Sequence, residues 1–548
     1  MPSCQSPATQ RQAFTCVTSS LNFCPAAMTG TNVRPTTLEF LGLAGNFGHL
    51  NMKDPFDVKK RGSTYFTEFR AGLTTFLAMA YILPVNSGML SLVIPGMREQ
   101  LVCATALAAF CGCWLMGTLS NYPFMLGPGS MNAFFTFTIC LGRGLPYQAA
   151  FASVFVAGCM FLLVSITGLR TLMIRLFPKG IKETIGAGVG LFLTFIAFQA
   201  SAGMGLSTAD PATLVTLNSL SPESYDAPKL WLSLVVLGLT AALFAAKVPG
   251  APLMGILFGT AVCWIEGFAR GKERSVFGYP FGTLGKRDAG FHIYLPTGLL
   301  GDPSLSGLSG ALWSGFGAAT DPVMASTFWT AVATFCYTDL LDASGTFFAV
   351  AKVARLTDTR GNLPLARQNM AYLADGFAAL IGAMLGVSTV VTFAESTVGV
   401  ADGAKTGLAP LVTGTCFLLA IPIAPVVSAV PPLATGPILC LLGVLMCQSL
   451  RSIDWEDFQE SIPAFVTMVT MPYTFSIGYG IIAGLLLWLV IQFLLIPVRL
   501  VKREDPLVRF KVLWAGVFVH EDEALAEKQD LSNSDTDDAD VGSMGSLA

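Results

Sequence analysis

Three acidic residues lie within stretches of the sequence that are otherwise apolar. Asp339 and Asp342 are the only charged residues in the run 326–350, which reads STFWTAVATFCYTDLLDASGTFFAV. Residues three apart share one face of a helix, so the two carboxylates are predicted to lie side by side. Glu395 adds a third acid within the stretch 386–403. Because an ionised carboxylate at the centre of a bilayer costs about 2.5–3.5 kcal/mol, these residues indicate a functional site.

The surroundings of these acids limit the chemistry open to them. No lysine or arginine lies at a comparable depth in any apolar run, so we expect no neutralising ion pair within the membrane. The remaining options are protonation, a bound cation, N–H donors from helix ends, or a substrate that donates hydrogen bonds. A transport cycle can use all four. The alternative is an acid that only faces an aqueous crevice or, for Asp339, one that braces neighbouring backbone.

Aromatic residues in the same segments, or in the first apolar span, could stack against a planar heterocycle. Each of them taken singly is more typical of core packing. They are Tyr81, Phe134, Phe135, Phe347, Phe348 and Phe393.

The composition is that of a polytopic membrane protein. Hydrophobic residues make up 53% of the 548 residues and charged residues 12%, against roughly 25% charged in soluble domains. The net charge of −3 is close to balance and does not indicate a nucleic-acid partner. The three histidines lie outside the apolar runs, and most cysteines lie within them, as packing residues do. We therefore predict no metal site, no cofactor and no enzymatic centre.

Apolar segments long enough to cross a bilayer recur along the chain. Twelve are continuous and two are broken by Gly, Pro, Ser or Thr, which predicts fourteen crossings. The continuous segments are 71–94, 101–119, 146–168, 184–203, 229–247, 250–268, 326–351, 371–387, 407–428, 432–448, 461–474 and 477–498, and the broken ones are 123–142 and 388–403.

The two broken segments are predicted to contain short extended strands. In the first, Pro and Gly residues between 123 and 129 oppose a continuous helix, which is expected to resume at Asn132. In the second, the β-branched run VSTVVTF favours an extended stretch, with a helix opening at Glu395 or Ser396. Extended backbone at membrane depth survives only where it is buried or lines a cavity. The alternative is a pair of simple kinks in ordinary helices.

Two further patterns predict an inverted repeat. Basic residues cluster at 170–182, 352–367 and 499–503, which fall on the cytosolic side if both broken segments cross and the N-terminus is cytosolic. The stretch 104–117 matches 374–387, including Gly112 with Gly382, and each copy leads into a broken segment. Seven crossings per half is an odd number, so the halves are predicted to be inverted, with a substrate site near the midplane.

These observations divide the chain into five parts. Residues 1–60 are predicted to be a disordered cytosolic extension, and 501–548 a cytosolic acidic tail. Residues 61–268 and 326–500 are the two repeats, joined by a non-cytosolic loop at 269–325. The membrane is expected to be the plasma membrane, with an organelle membrane as the alternative.

Six stretches of the sequence resemble one known family, the AzgA-like purine permeases among the nucleobase–cation symporters. They are EFRAGLTTFLAMAYILPVN (68–86), GPGSMNAFFTF (127–137), GAGVGLFLTFIAFQ (186–199), YTDLLDASGTFFAVAKVA (337–354), GVSTVVTFAESTVGVADGAKTGL (386–408) and IDWEDFQESIPAFVTMVTMPYTFSIGYGIIAG (453–484). The resemblance implies a core domain of spans 1–4 and 8–11, a gate domain of spans 5–7 and 12–14, and a homodimer. It also implies adenine, guanine or hypoxanthine as substrate, driven by a cation, H+ rather than Na+.

The resemblance also implies roles for individual residues. Asp342 and Glu395 match the two substrate-binding acids of the family, Asn132 matches the asparagine of its NA motif, and Asp339 matches the first aspartate of its D-x-x-D pattern. Phe134 stands where the family more often has Tyr, which bears on the purine preferred. The predicted substrate-binding residues are Asp342, Glu395, Asn132, Ser396, Phe393, Phe135 and Thr346, and the predicted cation-coupling residues are Asp339 and Glu395.

The leading hypothesis is therefore cation-coupled import of purine nucleobases through an elevator-like motion of core against gate. The alternative is an anion transporter of the sulfate type with the same architecture. Paired helix N-termini suit an anion, but three acids at the same depth do not.

Overall fold

Helices account for most of the computed structural model. It describes residues 54–501 except 55, 130, 168–177, 200–202, 211–213, 219–226, 271–275, 278–307, 309, 355 and 357–364. The extension up to residue 53, most of the connecting loop, the tail beyond 501 and parts of all three basic clusters lie outside the described residues.

An element occupies each of the fourteen segments that hydropathy predicts. The helices of the first half are α1 (Tyr65–Met79), α2 (Ile82–Leu90), α3 (Arg98–Leu119), α4 (Met131–Ala133) with the π-helix Phe134–Gly142, α5 (Tyr147–Ile166), α6 (Lys179–Phe198), α7 (Ala227–Ala245) and α8 (Ala251–Arg270). Those of the loop and second half are α9 (Ala311–Gly315), α10 (Ala325–Val353), α11 (Leu365–Leu385), α12 (Ser396–Ala401), α13 (Leu408–Ala420), α14 (Ala424–Ser428), α15 (Pro432–Met446), α16 (Phe458–Thr474) and α17 (Ile477–Val501). Single 3-10 turns follow α9, α13 and α15.

Two boundaries differ from the hydropathy prediction because an N-cap residue decides where the helix begins. The first span begins at Tyr65 rather than 71, since Thr64 caps it by accepting a hydrogen bond from the Thr67 amide. The thirteenth begins at Phe458 rather than 461, with Asp457 as its cap. Nine helices within the described residues are long and apolar enough to span a membrane. The number fourteen stays a prediction.

Four short strands form two separate antiparallel pairs in the described part of the chain. β1 (Leu126–Pro128) pairs with β4 (Val390–Thr392), which joins the two broken segments across the two halves of the chain. β2 (Ser207–Asp210) and β3 (Leu214–Leu217) form a hairpin after α6 that the sequence analysis did not predict. The prediction of short strands within both broken segments is confirmed.

The glycines shared by the two repeats make room for the strand crossing. A Cβ added at Gly112 would lie 2.9 Å from the Leu126 Cβ, and one added at Gly382 would lie 2.6 Å from a Val390 methyl group. Real Cβ atoms do not approach so closely, so each glycine lets its helix lie against the strand pair. The repeat match between 104–117 and 374–387 therefore has a structural cause.

The helices pack in two groups that follow the division implied by the resemblance. We define the core group as α1–α5, the π-helix and α10–α14, in which α3 packs on α11 and α13, and α5 on α10 and α11. We define the gate group as α6–α8 and α15–α17, in which α6 packs on α15 and α16, and α7 on α8 and α15.

One joint between the groups lies beside the π-helix. The Thr138 hydroxyl of the π-helix donates to the carbonyl of Phe475, which lies between α16 and α17. Phe475 adopts the left-handed region with φ 49° and ψ 32°, an uncommon conformation for a bulky residue. Its ring packs against Phe195 and Phe192 of α6. The guanidinium of Arg143 lies 5.2 Å from the centre of the Tyr479 ring and adds a second contact between the groups.

Candidate functional site

The strand crossing is the frame on which the candidate site is built. In the register, Leu126 faces Thr392, Gly127 faces Val391 and Pro128 faces Val390. Two further hydrogen bonds extend the contact, because the Phe393 amide donates to the Met125 carbonyl at 2.9 Å and the Met125 amide donates to the Ser396 hydroxyl at 2.9 Å. Ser396 is fully buried, and its side chain is engaged in joining the two segments.

Glu395 occupies the N-cap position of α12, as the sequence predicts. Glu395 is half-buried, and the Tyr81 hydroxyl donates a hydrogen bond of 2.7 Å to its Oε1. Tyr81 lies at the break between α1 and α2. From the sequence, Tyr81 is a candidate for stacking on a heterocycle, whereas in the structure its hydroxyl binds the carboxylate.

Asp342 is also half-buried, and it lies on α10, which packs against α12. Asp342 and Glu395 therefore lie on two elements that contact each other. Among the described residues, no lysine or arginine forms an ion pair with Asp339, Asp342 or Glu395. The structure therefore places the two predicted substrate-binding acids on contacting elements, and within the described residues neither carboxylate has a neutralising lysine or arginine.

Asp339 faces a different and more enclosed environment. It is 4% exposed, and its Oδ1 has no hydrogen-bond partner within the described residues. Thr389, Asp342 and Asp375 lie close enough to act on its charge. Asp375 of α11 is 2% exposed and accepts a bond of 3.3 Å from the Thr392 hydroxyl. Asp375 is not among the predicted site residues, although an acid within the predicted span 371–387 is a visible signal in the sequence.

Asn132 connects the first broken segment to the second. Its Oδ1 accepts a hydrogen bond of 3.3 Å from the Ser388 amide, while its Nδ2 has no partner in the part of the chain that the structure describes. Asn86 of α2, which the sequence analysis missed, donates to the Pro128 carbonyl at 2.7 Å and supports the same segment. Asn132 is fully buried, so it is less exposed than Asp342 and Glu395.

The predicted aromatic residues lie mostly in packing contacts. Phe135 is fully buried and stacks on Phe151 at 4.8 Å between ring centres. Phe347 stacks on Phe124 at 5.3 Å. Phe393 is 8% exposed, and its ring lies beside Gly127 and Gly129. Thr346 on α10 is half-buried. The side chain of Phe348 lies outside the described residues.

Comparison with known proteins places these features in a wider context. Residues 66–483 match the profile of a family described as "Permease family" (Xan_ur_permease). The chain is 37% identical over 449 residues to the guanine/hypoxanthine permease PbuG of Bacillus subtilis, covering 80% of this chain and 93% of that protein. It is 32% identical over 482 residues to the efflux pump notK' of Aspergillus versicolor, covering 79% of this chain and 80% of that protein.

The fold resembles that of a solved transporter domain. The transmembrane domain of a cyanobacterial bicarbonate transporter, BicA, superposes with a TM-score of 0.53 at 15% identity, covering 76% of this chain and 97% of that domain. The predicted class, a polytopic helical membrane protein with a repeated architecture, is confirmed by this likeness.

Proposed function

This chain belongs to the permease family, and on that premise we propose that it carries purine nucleobases across the membrane. It is a multi-pass membrane transporter rather than an enzyme, as predicted. The observation that carries the proposal is the pair of acids Asp342 and Glu395, which lie on contacting helices beside the strand crossing with no ion-pair partner among the described residues. A purine edge offers N–H donors, and carboxylates accept hydrogen bonds from them.

The surroundings of the two acids suit a neutral, hydrogen-bonding substrate. Tyr81 leaves Glu395 with further lone pairs for a base, because a carboxylate accepts about four hydrogen bonds. Phe393 and Thr346 lie on the same two segments, where one offers an apolar surface and the other a hydroxyl. Guanine and hypoxanthine are supported by the name of the Bacillus relative, and adenine by the sequence resemblance.

We assign the coupling cation, H+ before Na+, to the same group of acids. Asp342 and Glu395 repel each other when both are ionised, and a proton or a cation relieves that repulsion. We propose Asp339 and Glu395 as the coupling residues. Glu395 belongs to the pair just described, and Asp339 is 4% exposed with an Oδ1 that has no hydrogen-bond partner among the described residues. The division into core and gate groups supports an elevator-like motion, with the crossing and its acids carried by the core group.

Two alternatives differ from purine import, one in the direction of transport and the other in the substrate. Export is the alternative direction to the proposed import, and the printed name of the Aspergillus relative, an efflux pump, supports it. Anion transport has only a shared fold in its favour, since the likeness to the bicarbonate transporter is at 15% identity. The acidic character of the site opposes it.

The test is uptake of radiolabelled hypoxanthine, guanine and adenine by cells that lack purine carriers, with and without a protonophore. We expect saturable uptake that Asp342→Asn and Glu395→Gln each reduce by about 10- to 100-fold, because each removes a charge-assisted acceptor worth about 1.5–3 kcal/mol. Glu456→Gln serves as the control, since Glu456 is an exposed acid in the turn before α16, outside the two segments that carry Asp342 and Glu395.

The outcomes separate the alternatives. Uptake that requires both acids and collapses with the protonophore supports purine–H+ import. Faster loss of preloaded base than in control cells supports export. Normal surface expression without movement of any purine in either direction contradicts the proposed substrate, and labelled sulfate and bicarbonate would be tested next.

A further inference from the structure

A polar cluster outside the candidate site connects the loop after α12 to the start of α1. We define the α12 loop as residues 402–407, which follow the short helix that Glu395 caps. The topology prediction places this loop, the start of α1 and the turn after α3 on the same, cytosolic side. The structure brings all three together.

Glu68 lies at the centre of this cluster and is fully buried. Its Oε1 accepts a hydrogen bond of 2.9 Å from the Lys405 amide, and its Oε2 accepts one of 3.4 Å from the Thr406 amide. Both partners are main-chain groups of the α12 loop. A carboxylate held by two backbone amides fixes the path of that loop as well as its own position.

Arg70 and Arg61 also bind the α12 loop, Arg70 at Asp402 and Arg61 at Lys405. The Arg70 guanidinium lies 2.9 Å from Asp402 Oδ1 and donates to the Asp402 carbonyl at 2.9 Å. Arg61 donates to the carbonyls of Lys405 and Asn121, each at 2.7 Å. The Asn121 side chain in turn accepts from the Gly407 amide at 2.7 Å.

The helix α12 itself lies flush against α1. A Cβ added at Gly399 would lie 3.1 Å from the Ala71 carbonyl oxygen and closer still to the Thr75 hydroxyl, so only glycine permits this approach. Tyr81 then contacts Glu395 directly at the far end of the helix. The first span therefore contacts the Glu395 segment at its beginning, its middle and its end.

We propose that Glu68 and Arg70 are positioning residues that set the location of the Glu395 carboxylate by anchoring α12 from its cytosolic end. A helix of six residues has few hydrogen bonds of its own, so its placement depends on its anchors. This inference rests on the proposed function only in treating Glu395 as a substrate ligand. A purely stabilising cluster would change the amount of folded protein but not the affinity for the base.

The experiment compares KM and maximal rate for radiolabelled hypoxanthine, together with amide hydrogen exchange of the purified full-length protein. In Glu68→Gln we expect KM to rise about tenfold with a maximal rate within about twofold, since ~1.4 kcal/mol of lost positioning is a factor of ten. Amides in 396–407 should exchange faster than in the unmodified protein, while those of α15 should not change.

A charge reversal provides the matched rescue. Asp402→Arg and Arg70→Glu should each raise KM, and the double variant should have a lower KM than either single variant, because the ion pair is restored with opposite sense. Recovery should be partial, since a glutamate at position 70 cannot donate to the carbonyl of residue 402. Arg270→Glu, which removes a pair with Glu266 on α8, serves as the control.

Each outcome decides the proposal. Unchanged KM and unchanged exchange in Glu68→Gln overturn it, as does a loss of folded protein with unchanged KM in all variants. If Glu68→Gln does not reach the membrane, the reversal series decides, and a double variant whose KM is no lower than that of the single variants overturns the proposal. If the unmodified protein moves no purine, the proposed function fails, whereas faster exchange confined to 396–407 still supports the positioning role.

Discussion

Removal of the Tyr81 hydroxyl is the perturbation that most sharply isolates the candidate site. Tyr81 is 3% exposed, and its hydroxyl donates a single 2.7 Å bond to Glu395, so Tyr81→Phe deletes one hydrogen bond and preserves the ring packing. Hydrogen bonds to charged groups contribute about 1.5–3 kcal/mol, and the partner carboxylate remains partly accessible to water, which offsets part of the loss. We therefore expect a net loss of transition-state stabilisation near the lower end of that range, about 1.5 kcal/mol. That corresponds to about a tenfold fall in the ratio of maximal rate to KM.

The chain offers a matched control for this substitution. Tyr122 is 1% exposed, and its hydroxyl has no hydrogen-bond partner among the described residues, so Tyr122→Phe removes a buried hydroxyl that holds no carboxylate. Labelled hypoxanthine uptake and surface protein would be measured for both variants in the same cells. Equal transport by Tyr81→Phe and the unmodified protein, at equal surface amounts, would refute the reasoning that Tyr81 orients Glu395.

Three further predictions concern the crossing, the coupling and the joint between the groups. Gly382→Ala should reduce the thermal stability of the purified protein by about 1–3 kcal/mol and slow uptake, because its Cβ overlaps Val390. Gly317→Ala, where an added Cβ meets nothing within 4 Å, should be neutral in the same melting assay. Asp339→Asn should leave hypoxanthine binding within about threefold but make any remaining uptake insensitive to a protonophore, and retained sensitivity would remove Asp339 from the coupling role. Thr138→Val should change the maximal rate more than KM, since its bond to the Phe475 carbonyl joins core and gate groups rather than contacting substrate. A change confined to KM would contradict that assignment.

Local residue chemistry was enough to predict where the backbone breaks. Proline and glycine at 123–129 and the β-branched run before Phe393 predicted extended segments, and the helix after the second begins at Ser396 with Glu395 as its cap. In the first broken segment, the helix resumes at Met131, one residue before the expected Asn132. The pairing of Leu126 with Thr392 could not be predicted, because register between distant segments depends on packing that no local pattern encodes.

The partners of the acids illustrate the same limit. Tyr81 and Glu395 are 314 residues apart, and nothing in either motif links them. Glu68 was missed because hydropathy started the first span at 71, whereas the Thr64 cap extends the helix to include it. Asp375 could have been found, since it was a charged residue within a predicted span. The Gly112 and Gly382 match was visible in the sequence, and its cause became clear only from their contacts with the strands.

The central claim is that Asp342 and Glu395 together hold a purine base. Equilibrium binding of radiolabelled hypoxanthine to the purified protein in lipid nanodiscs tests it without any assumption about direction or coupling ion. We predict saturable binding of hypoxanthine that unlabelled guanine displaces. Asp342→Asn and Glu395→Gln should each weaken this binding by at least about tenfold, since each variant loses a charged acceptor. Binding of unchanged affinity in both variants, with Glu456→Gln as the folded control, would contradict it.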